Sequence, residues 1–245
     1  FVMMHGRIEH GYQLTATDKR YWPTSYFGPT SGAGIAICFH PRRLNPSLRH
    51  LRIGVIGLGT GTMASYGEEG DYFKFYEINP DVLHFCDTYF TYRKDTDAQV
   101  DVVLGDARIS MEREKSRQQP ANYDVFAVDA FSSDSIPVHL LTREAFGVYL
   151  RHLAPGGVLA VHVTNRYLDL KPVVRGAAAE LGLDAEHVPS FEQSLLWSSD
   201  WMLASRDRAL LEDEPVRAAT LPRLLGASTV VWRDDWSDLL GALKR

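Results

Sequence analysis

The sequence predicts an α/β fold in which a parallel-core sheet carries helices on both faces and follows a small N-terminal β lobe. Apolar runs typical of buried strands alternate with helical stretches from Arg52 to Leu181. Closely spaced glycines follow the first of these runs, at Gly57, Gly59 and Gly61. Alternating strands and helices build a parallel sheet, and its ligands bind at the carboxyl ends of the strands. The glycine cluster therefore marks a candidate ligand site.

The individual elements follow from the apolar runs and from their stop signals. Short alternating runs between turn signals, which include Ser31-Gly-Ala-Gly34, predict a β-hairpin lobe over residues 1–45, and a larger ligand-binding domain then spans residues 46–245. Thr142 predicts a helix N-cap, and Pro155-Gly156-Gly157 predicts the stop after that helix. The predicted strands are Ile53–Ile56, Tyr72–Tyr76, Val100–Leu104, Val125–Val128 and Val158–Val163. The predicted helices lie around Pro80–Tyr92, Ala107–Arg117, Thr142–His152 and Lys171–Leu181.

Composition narrows the functional class. The 245 residues are 45% hydrophobic, which suffices for a full core, and the net charge of −5 disfavours an electrostatic nucleic-acid binder. Cys38 and Cys86 are the only cysteines, so they favour a reducing compartment and exclude a disulfide framework or a cysteine zinc site. No His, Cys and Asp residues have the spacing of metal ligands. We therefore expect a small-molecule substrate, no metal and no nucleic acid.

Acidic residues follow the later predicted strands. Glu77 ends the second strand, Asp106 follows the third and Asp129 follows the fourth. A carboxylate in this position can accept both hydroxyls of a ribose, whereas Asp106 can alternatively cap the helix that begins at Ala107. The dinucleotide spacing Gly-x-Gly-x-x-Gly is absent because Thr62 stands in its place, which disfavours an NAD site. The pattern predicts a nucleoside site, with a plain strand-to-helix turn as the alternative.

The order of these motifs resembles that of the spermidine synthase (polyamine aminopropyltransferase) family. The matching segments are Gly-x-Gly-x-Gly, Tyr-Glu-Ile-Asn-Pro, Gly-Asp-Ala and Tyr-Asp-Val-Phe-Ala-Val-Asp. Three further blocks, at 5–13, 129–142 and 234–238, resemble a branch in which the domain is fused behind transmembrane helices. The resemblance implies a Rossmann-like catalytic domain whose donor substrate is S-adenosylmethionine (SAM) or decarboxylated SAM. It also implies a cytoplasmic protein, either alone or as the cytoplasmic domain of an inner-membrane protein, and leaves a homodimer open.

The chain opens at Phe1, inside an apolar run. We therefore expect it to be part of a longer protein, with preceding membrane segments as an open possibility. No apolar run within the chain reaches the roughly 18 residues that are needed to span a bilayer.

The family resemblance assigns roles to individual residues. Glu77 would bind the ribose, and Asp106 with Ala107 would contact the adenine. Asp129 matches the acid beside the reacting carbon, where it accepts a proton or orients the nucleophile. Gln13 and Tyr26 match polar positions that the β lobe contributes to the donor and acceptor pocket.

Two departures from the family pattern concern carboxylates that hold amines. The glycine loop of the family usually carries an Asp for the donor's amino group, and this chain has Thr60 there. The second pocket acid of the family lies three residues after the first, where this chain has Ser132, and Asp134 follows two residues later. Recognition of a polyamine therefore does not follow from the resemblance alone, and we keep Asp134 as a candidate catalytic residue.

Four functions remain open from the sequence. The first is aminopropyl transfer from decarboxylated SAM to an amine, with methylthioadenosine as the leaving group. The second breaks the same bond with a nucleophile inside the donor itself and gives a cyclic product. The third is methyl transfer, and the fourth is a ligand-sensing domain of a membrane protein that has lost catalysis.

Overall fold

The computed structural model describes residues 1–5, 8–116, 120–130, 137–221 and 228–244. Two antiparallel strands form a separate N-terminal hairpin, and seven strands form the central sheet. The strands are β1 (Val2–His5), β2 (Ile8–Tyr12), β3 (Arg52–Ile56), β4 (Tyr72–Glu77), β5 (Gln99–Leu104), β6 (Tyr123–Val128), β7 (Leu153–His162), β8 (Asp184–Ser190) and β9 (Ser199–Ser205).

Helices connect the strands and cover the sheet. Within the described residues they are α1 (Gly32–Cys38), α2 (Pro41–Leu44), α3 (Pro80–Tyr89), α4 (Tyr92–Asp95), α5 (Ala107–Ser116), α6 (Arg143–His152), α7 (Lys171–Glu180), α8 (Arg208–Glu212) and α9 (Glu214–Ala219). Two short 3₁₀ helices lie at Thr62–Tyr66 and Val138–Leu140. The predicted α/β class and the predicted N-terminal hairpin are confirmed.

The sheet order is β5-β4-β3-β6-β7-β9-β8. The first five strands in this order are mutually parallel, whereas β9 runs antiparallel to both of its neighbours. The five predicted strands are those of the parallel core, so this core is confirmed. The antiparallel pair β8–β9 was not predicted, because the sequence of β8 mixes polar residues with Pro189 and shows no apolar run.

The core lies on both faces of the sheet. In β6, which is buried along its whole length, Phe126 and Val128 pack with α5, α6 and α7. Val125 and Ala127 pack on the other face with α1, α3, α8 and α9. This alternation is that of a strand buried on both faces, as a parallel core strand must be.

Helix α1 lies within the segment that we predicted as a β lobe. Gly32 and Gly34, which we interpreted as turn signals, belong to this helix, so that interpretation is wrong. Ser31 caps the helix by accepting a hydrogen bond from the Gly34 N–H at 3.1 Å. A Cβ atom at Gly32 would collide with Trp201 of β9, so the glycine permits close packing of α1 on the sheet. The domain boundary at residue 45 stays a prediction.

A buried ion pair ties α2 to the start of the sheet. Asp71 accepts hydrogen bonds from the Leu51 N–H at 2.8 Å and the Glu68 N–H at 2.9 Å. Arg43 of α2 donates to both oxygens of the same carboxylate, at 3.1 and 2.5 Å. The Arg43 side chain is 8% exposed and that of Asp71 is fully buried. Such a pair is costly to break, because its loss leaves an uncompensated buried charge.

We expect Arg43→Ala to lower the free energy of unfolding by about 3 kcal/mol or more, since it leaves Asp71 buried without its partner. Urea unfolding followed by circular dichroism measures the change. Arg49→Ala is the matched control, because Arg49 pairs with Glu68 at the surface. In the control, the free energy of unfolding should fall by less than about 1 kcal/mol. Equal losses in the two variants would contradict a buried, energetically important pair.

Candidate functional site

The glycine loop directly follows β3. Gly57, Gly59 and Gly61 have φ angles of 96°, 51° and 80°, a backbone region in which side chains with a Cβ are strained. A Cβ at Gly57 would collide with the carbonyl oxygen of Asp129, at the end of β6. The loop leads into the short 3₁₀ helix at Thr62–Tyr66. The predicted tight turn is therefore present, and its first glycine lies against the loop after β6.

Glu77 ends β4 and is 7% exposed. Its Oε2 accepts a hydrogen bond from the Leu58 N–H at 2.9 Å, and its Oε1 accepts one from the Asn79 N–H at 2.8 Å. The carboxylate thus braces the glycine loop, a role that the sequence did not predict. Each carboxylate oxygen has a second lone pair that can accept another hydrogen bond. Binding of a ribose by Glu77 stays a prediction.

Asp106 precedes α5, whose first residue is the buried Ala107. Asp106 Oδ1 accepts a hydrogen bond from the Ile109 N–H at 2.9 Å, and Oδ2 lies 2.8 Å from His139 Nε2. Burial works against ionisation, but the hydrogen bonds from Ile109 and His139 outweigh it and hold the pKa of Asp106 below its usual value. Asp106 therefore caps the helix and stays an ionised acceptor at neutral pH.

Exposed apolar side chains flank Asp106. Ile78, Leu104 and Ile109 are 69%, 50% and 49% exposed. Leu104 pairs with Glu77 in the register of β4 and β5, and Ile78 follows Glu77 in the chain. Ile109 lies in the first turn of α5, which Asp106 caps, so exposed apolar side chains occur on three segments at this end of the sheet.

Asp129 belongs to a buried polar and aromatic cluster. Its Oδ1 lies 2.6 Å from Nδ1 of His162, and the two side chains are 9% and 6% exposed. Burial and the charge of the nearby Asp129 raise the pKa of Tyr26 well above its usual value. The His162 ring stacks against Tyr26 at 4.6 Å and against Trp201 at 4.7 Å. The structure therefore brings together Asp129 and Tyr26, both predicted, with His162, which was not.

His162 is the last residue of β7, so it occupies the same place on its strand that the predicted acids occupy on theirs. The position of a histidine at the carboxyl end of the fifth predicted strand was the available signal. Its Nε2 lies 2.7 Å from Thr164 Oγ1. The side chain thus links Asp129 to the loop that follows β7.

Gln13 lies apart from this cluster. It is 4% exposed, and its Nε2 donates to the Arg20 carbonyl and to Thr91 Oγ1, both at 2.9 Å. Its Oε1 accepts a hydrogen bond from the Thr91 N–H at 2.8 Å. These contacts tie the N-terminal segment to the junction of α3 and α4. A role of Gln13 in ligand binding stays a prediction, and Asp134 and Ser132 lie outside the described residues.

Thr60 is 1% exposed within the glycine loop. Its Oγ1 lies 2.7 Å from Thr62 Oγ1, and the side chain packs against Gly11 of β2. The loop therefore presents a neutral, hydrogen-bonded hydroxyl where the resembling family usually has a carboxylate.

A cavity of about 520 Å³ lies between the 3₁₀ helix at Val138–Leu140 and the segment at 233–237. His139, which contacts Asp106, lines it, and Arg108 pairs with Asp234 across its wall at 2.7 and 2.5 Å. The segment at 234–238, which carried part of the family resemblance, thus packs next to the predicted adenine end of the site.

Neither a metal centre nor a membrane span is visible in the part of the chain that the structure describes. No group of three or more His, Cys, Asp or Glu side chains among those residues is arranged to hold a metal ion. No helix within the described ranges is both long and apolar enough to cross a membrane. The expectations about metals and membrane attachment stay predictions.

No family model matches the chain. A curated polyamine aminopropyltransferase of Vibrio vulnificus (strain CMCP6) is 33% identical over 114 residues, which are 45% of this chain and 37% of that protein. The match thus spans less than half the length of that relative. This finding supports the resemblance to spermidine synthases, and the membrane-fused branch stays a prediction.

Solved structures establish the fold. A probable spermidine synthase from Corynebacterium glutamicum ATCC 13032 has a TM-score of 0.54 and 19% identity, covering 84% of this chain and 76% of that chain. Human methyltransferase-like protein 13, solved in complex with SAH, has a TM-score of 0.56 and 20% identity, covering 83% of this chain and 93% of that chain. The chain therefore has the fold that spermidine synthases and methyltransferases share.

The glycine loop allows a test that needs no ligand. An alanine at a position with positive φ lowers the free energy of unfolding by roughly 1–2 kcal/mol through backbone strain. This cost applies to both Gly57→Ala and Gly182→Ala. Gly182 has a φ of 70°, and a Cβ there would meet nothing within 4 Å, whereas a Cβ at Gly57 would meet the Asp129 carbonyl. In urea unfolding, we expect Gly57→Ala to lower the free energy of unfolding more than Gly182→Ala does, by more than about 1 kcal/mol. Equal losses would show that the contact with Asp129 is loose.

Proposed function

We propose that this domain binds SAM or decarboxylated SAM and transfers the aminopropyl group of the decarboxylated donor to an amine. The observation that carries the proposal is the placement of Asp129. This carboxylate is buried between Tyr26 and His162 at the end of β6, next to the glycine loop at the end of β3. A proton acceptor beside the loop that would hold the nucleoside is what amine alkylation requires.

The nucleoside would lie along the carboxyl edge of the sheet. The glycine loop would approach the donor closely, Glu77 would accept the ribose hydroxyls, and Asp106 would accept the adenine amino group. The apolar surface of Ile78, Leu104 and Ile109 would cover the adenine ring. The low pKa of Asp106 supports this assignment, because the carboxylate remains an acceptor at neutral pH.

The chemistry needs little covalent help from the protein, because the sulfonium already makes its attached carbons electrophilic. The amine nitrogen attacks the propyl carbon, the new N–C bond forms as the S–C bond breaks, and methylthioadenosine leaves with the bonding electron pair. The alkylated nitrogen gives up a proton to Asp129. Alignment of the two reactants can lower the barrier by about 7–11 kcal/mol, and a positioned base adds roughly 10²–10⁴-fold.

Aromatic rings beside Asp129 suit cationic ligands. Trp197 lies 5.9 Å from the Tyr26 ring and 5.8 Å from the Tyr12 ring, and all three residues are partly exposed. The faces of such rings attract cations. These three rings would attract both the sulfonium of the donor and an ammonium group of the acceptor.

Thr60 favours a second candidate, the reaction of intact SAM. An Asp at this position and the carboxylate of SAM, about 4 Å apart, would repel by roughly 4 kcal/mol at an intermediate dielectric. The neutral Thr60 removes that repulsion. Intact SAM could then react by cyclisation, which also releases methylthioadenosine, or by methyl transfer, which releases S-adenosylhomocysteine. A domain that only senses the nucleoside would release neither product.

Glu77→Ala should weaken the binding of methylthioadenosine more than tenfold, because hydrogen bonds to a charged group are worth roughly 1.5–3 kcal/mol. Isothermal titration calorimetry measures the affinity. Glu69→Ala, which removes an exposed acid of the same charge, is the control and should bind as the wild type does. Since Glu77 also braces the loop, an unfolding curve must show that the variant is folded. A folded variant with unchanged affinity would contradict the assignment.

The function itself is tested by incubation with SAM or decarboxylated SAM, with and without putrescine, and identification of the nucleoside product. We expect methylthioadenosine, and Asp129→Asn should keep nucleoside binding while lowering turnover by about a hundredfold or more. Methylthioadenosine from SAM without amine would establish cyclisation, and S-adenosylhomocysteine would establish methyl transfer. Near-normal turnover by the variant would remove Asp129 from the mechanism.

A further inference from the structure

We propose that His162 and Thr164 are positioning residues for Asp129: Thr164 fixes the tautomer of His162, and His162 then holds the Asp129 carboxylate in one orientation by a hydrogen bond. The inference rests on the proposed function for its kinetic consequence only. Its structural part is independent, because it follows from the directions of the hydrogen bonds.

The donor and acceptor of each hydrogen bond can be deduced from the backbone N–H of Asp200, the second residue of β9. The Asp200 N–H donates to Thr164 Oγ1 at 2.7 Å, so this hydroxyl oxygen acts as an acceptor there. The hydroxyl hydrogen then has two acceptors within reach, His162 Nε2 at 2.7 Å and the Asp200 carbonyl oxygen at 3.5 Å. That carbonyl already accepts the Val163 N–H at 2.8 Å. The shorter contact with His162 Nε2 is the better hydrogen bond.

A neutral imidazole carries one hydrogen, and the partner of one nitrogen determines which nitrogen carries it. If Thr164 donates to Nε2, that nitrogen is the acceptor and the hydrogen lies on Nδ1. Nδ1 faces Asp129 Oδ1 at 2.6 Å, so it donates to the carboxylate. Stacking on Tyr26 and Trp201 keeps the ring in this orientation.

Asp129 thus receives a hydrogen bond from His162 Nδ1, and the Tyr26 ring stacks on the same imidazole. A hydrogen bond to a carboxylate fixes its orientation. Among the described residues, the titratable groups placed around His162 are Asp129 at the end of β6, Tyr26 before α1, and Asp200 on β9. The Asp200 carboxylate is itself engaged with His187 Nε2 at 2.6 Å. The arrangement leaves Asp129 with lone pairs for the nucleophile.

The structural test is long-range ¹H–¹⁵N spectroscopy of the imidazoles in the wild-type domain, with His162→Gln used to assign the signal. We expect His162 to carry its hydrogen on Nδ1 with Nε2 unprotonated. Thr164→Val should disturb this signal, whereas Thr88→Val, an exposed threonine of α3, should not. A hydrogen on Nε2 in the neutral ring would overturn the proposal whatever reaction the domain catalyses.

The kinetic test uses decarboxylated SAM with putrescine between pH 6 and 9. Thr164→Val should lower kcat by about tenfold at an unchanged KM for the donor, and Thr164→Ser should restore most of it, since one hydrogen bond is at stake. His162→Phe should also lower kcat at an unchanged KM for the donor, because Asp129 loses the hydrogen bond that orients it. Wild-type kcat in both variants would overturn the proposal while leaving the proposed function intact. Absence of product from the wild type with every donor would instead overturn the proposed function, and the spectroscopic result would then decide this inference.

Discussion

The close pairing of β3 with β6 is the constraint on which the candidate site depends. Ile56 pairs with Val128 in the parallel register, and the Asp129 N–H donates to the Ile56 carbonyl at 2.9 Å. The two chains therefore leave the sheet side by side, and the glycine loop lies against the backbone of Asp129. Only a glycine at residue 57 fits this approach, since any Cβ there would meet the Asp129 carbonyl. The glycine loop and the predicted base are thus held next to each other by contacts between their backbones.

Much of this arrangement could be predicted from the sequence, because the parallel core consists of short apolar runs that each end in a polar residue. Glu77, Asp106 and Asp129 were found by that rule, and all three lie at the carboxyl ends of their strands. His162 obeys the same rule but was missed, because a single histidine after an apolar run is no more informative than a core histidine. Its meaning depends on Asp129 and Tyr26, which approach it only in the folded chain.

The elements that were missed share a physical cause. The glycines of α1 are typical of turns in isolation, whereas in the folded chain Gly32 lets a helix pack on the sheet, because Trp201, distant in sequence, occupies the space that a Cβ would fill. The strand β8 mixes polar residues with Pro189, and the apolar run within β9, at 201–204, does not by itself indicate that β9 pairs with β7 and β8 in antiparallel directions. Local propensity decides neither case, because the partners that stabilise these elements lie far away along the chain.

The carboxylates of Glu77 and Asp129 differ in the hydrogen bonds that they accept. Glu77 uses part of its hydrogen-bonding capacity on Leu58 and Asn79, so the loop geometry and any ligand contact are coupled through one carboxylate. Asp129 contacts His162 through its carboxylate and the glycine loop through its backbone. With a neutral Thr60 in the loop, the proposed mechanism uses the negative charge of Asp129 at the reacting carbon. A cationic sulfonium and an amine nucleophile would both be drawn to that carboxylate, so the orientation of Asp129 by its neighbours would determine which atom attacks.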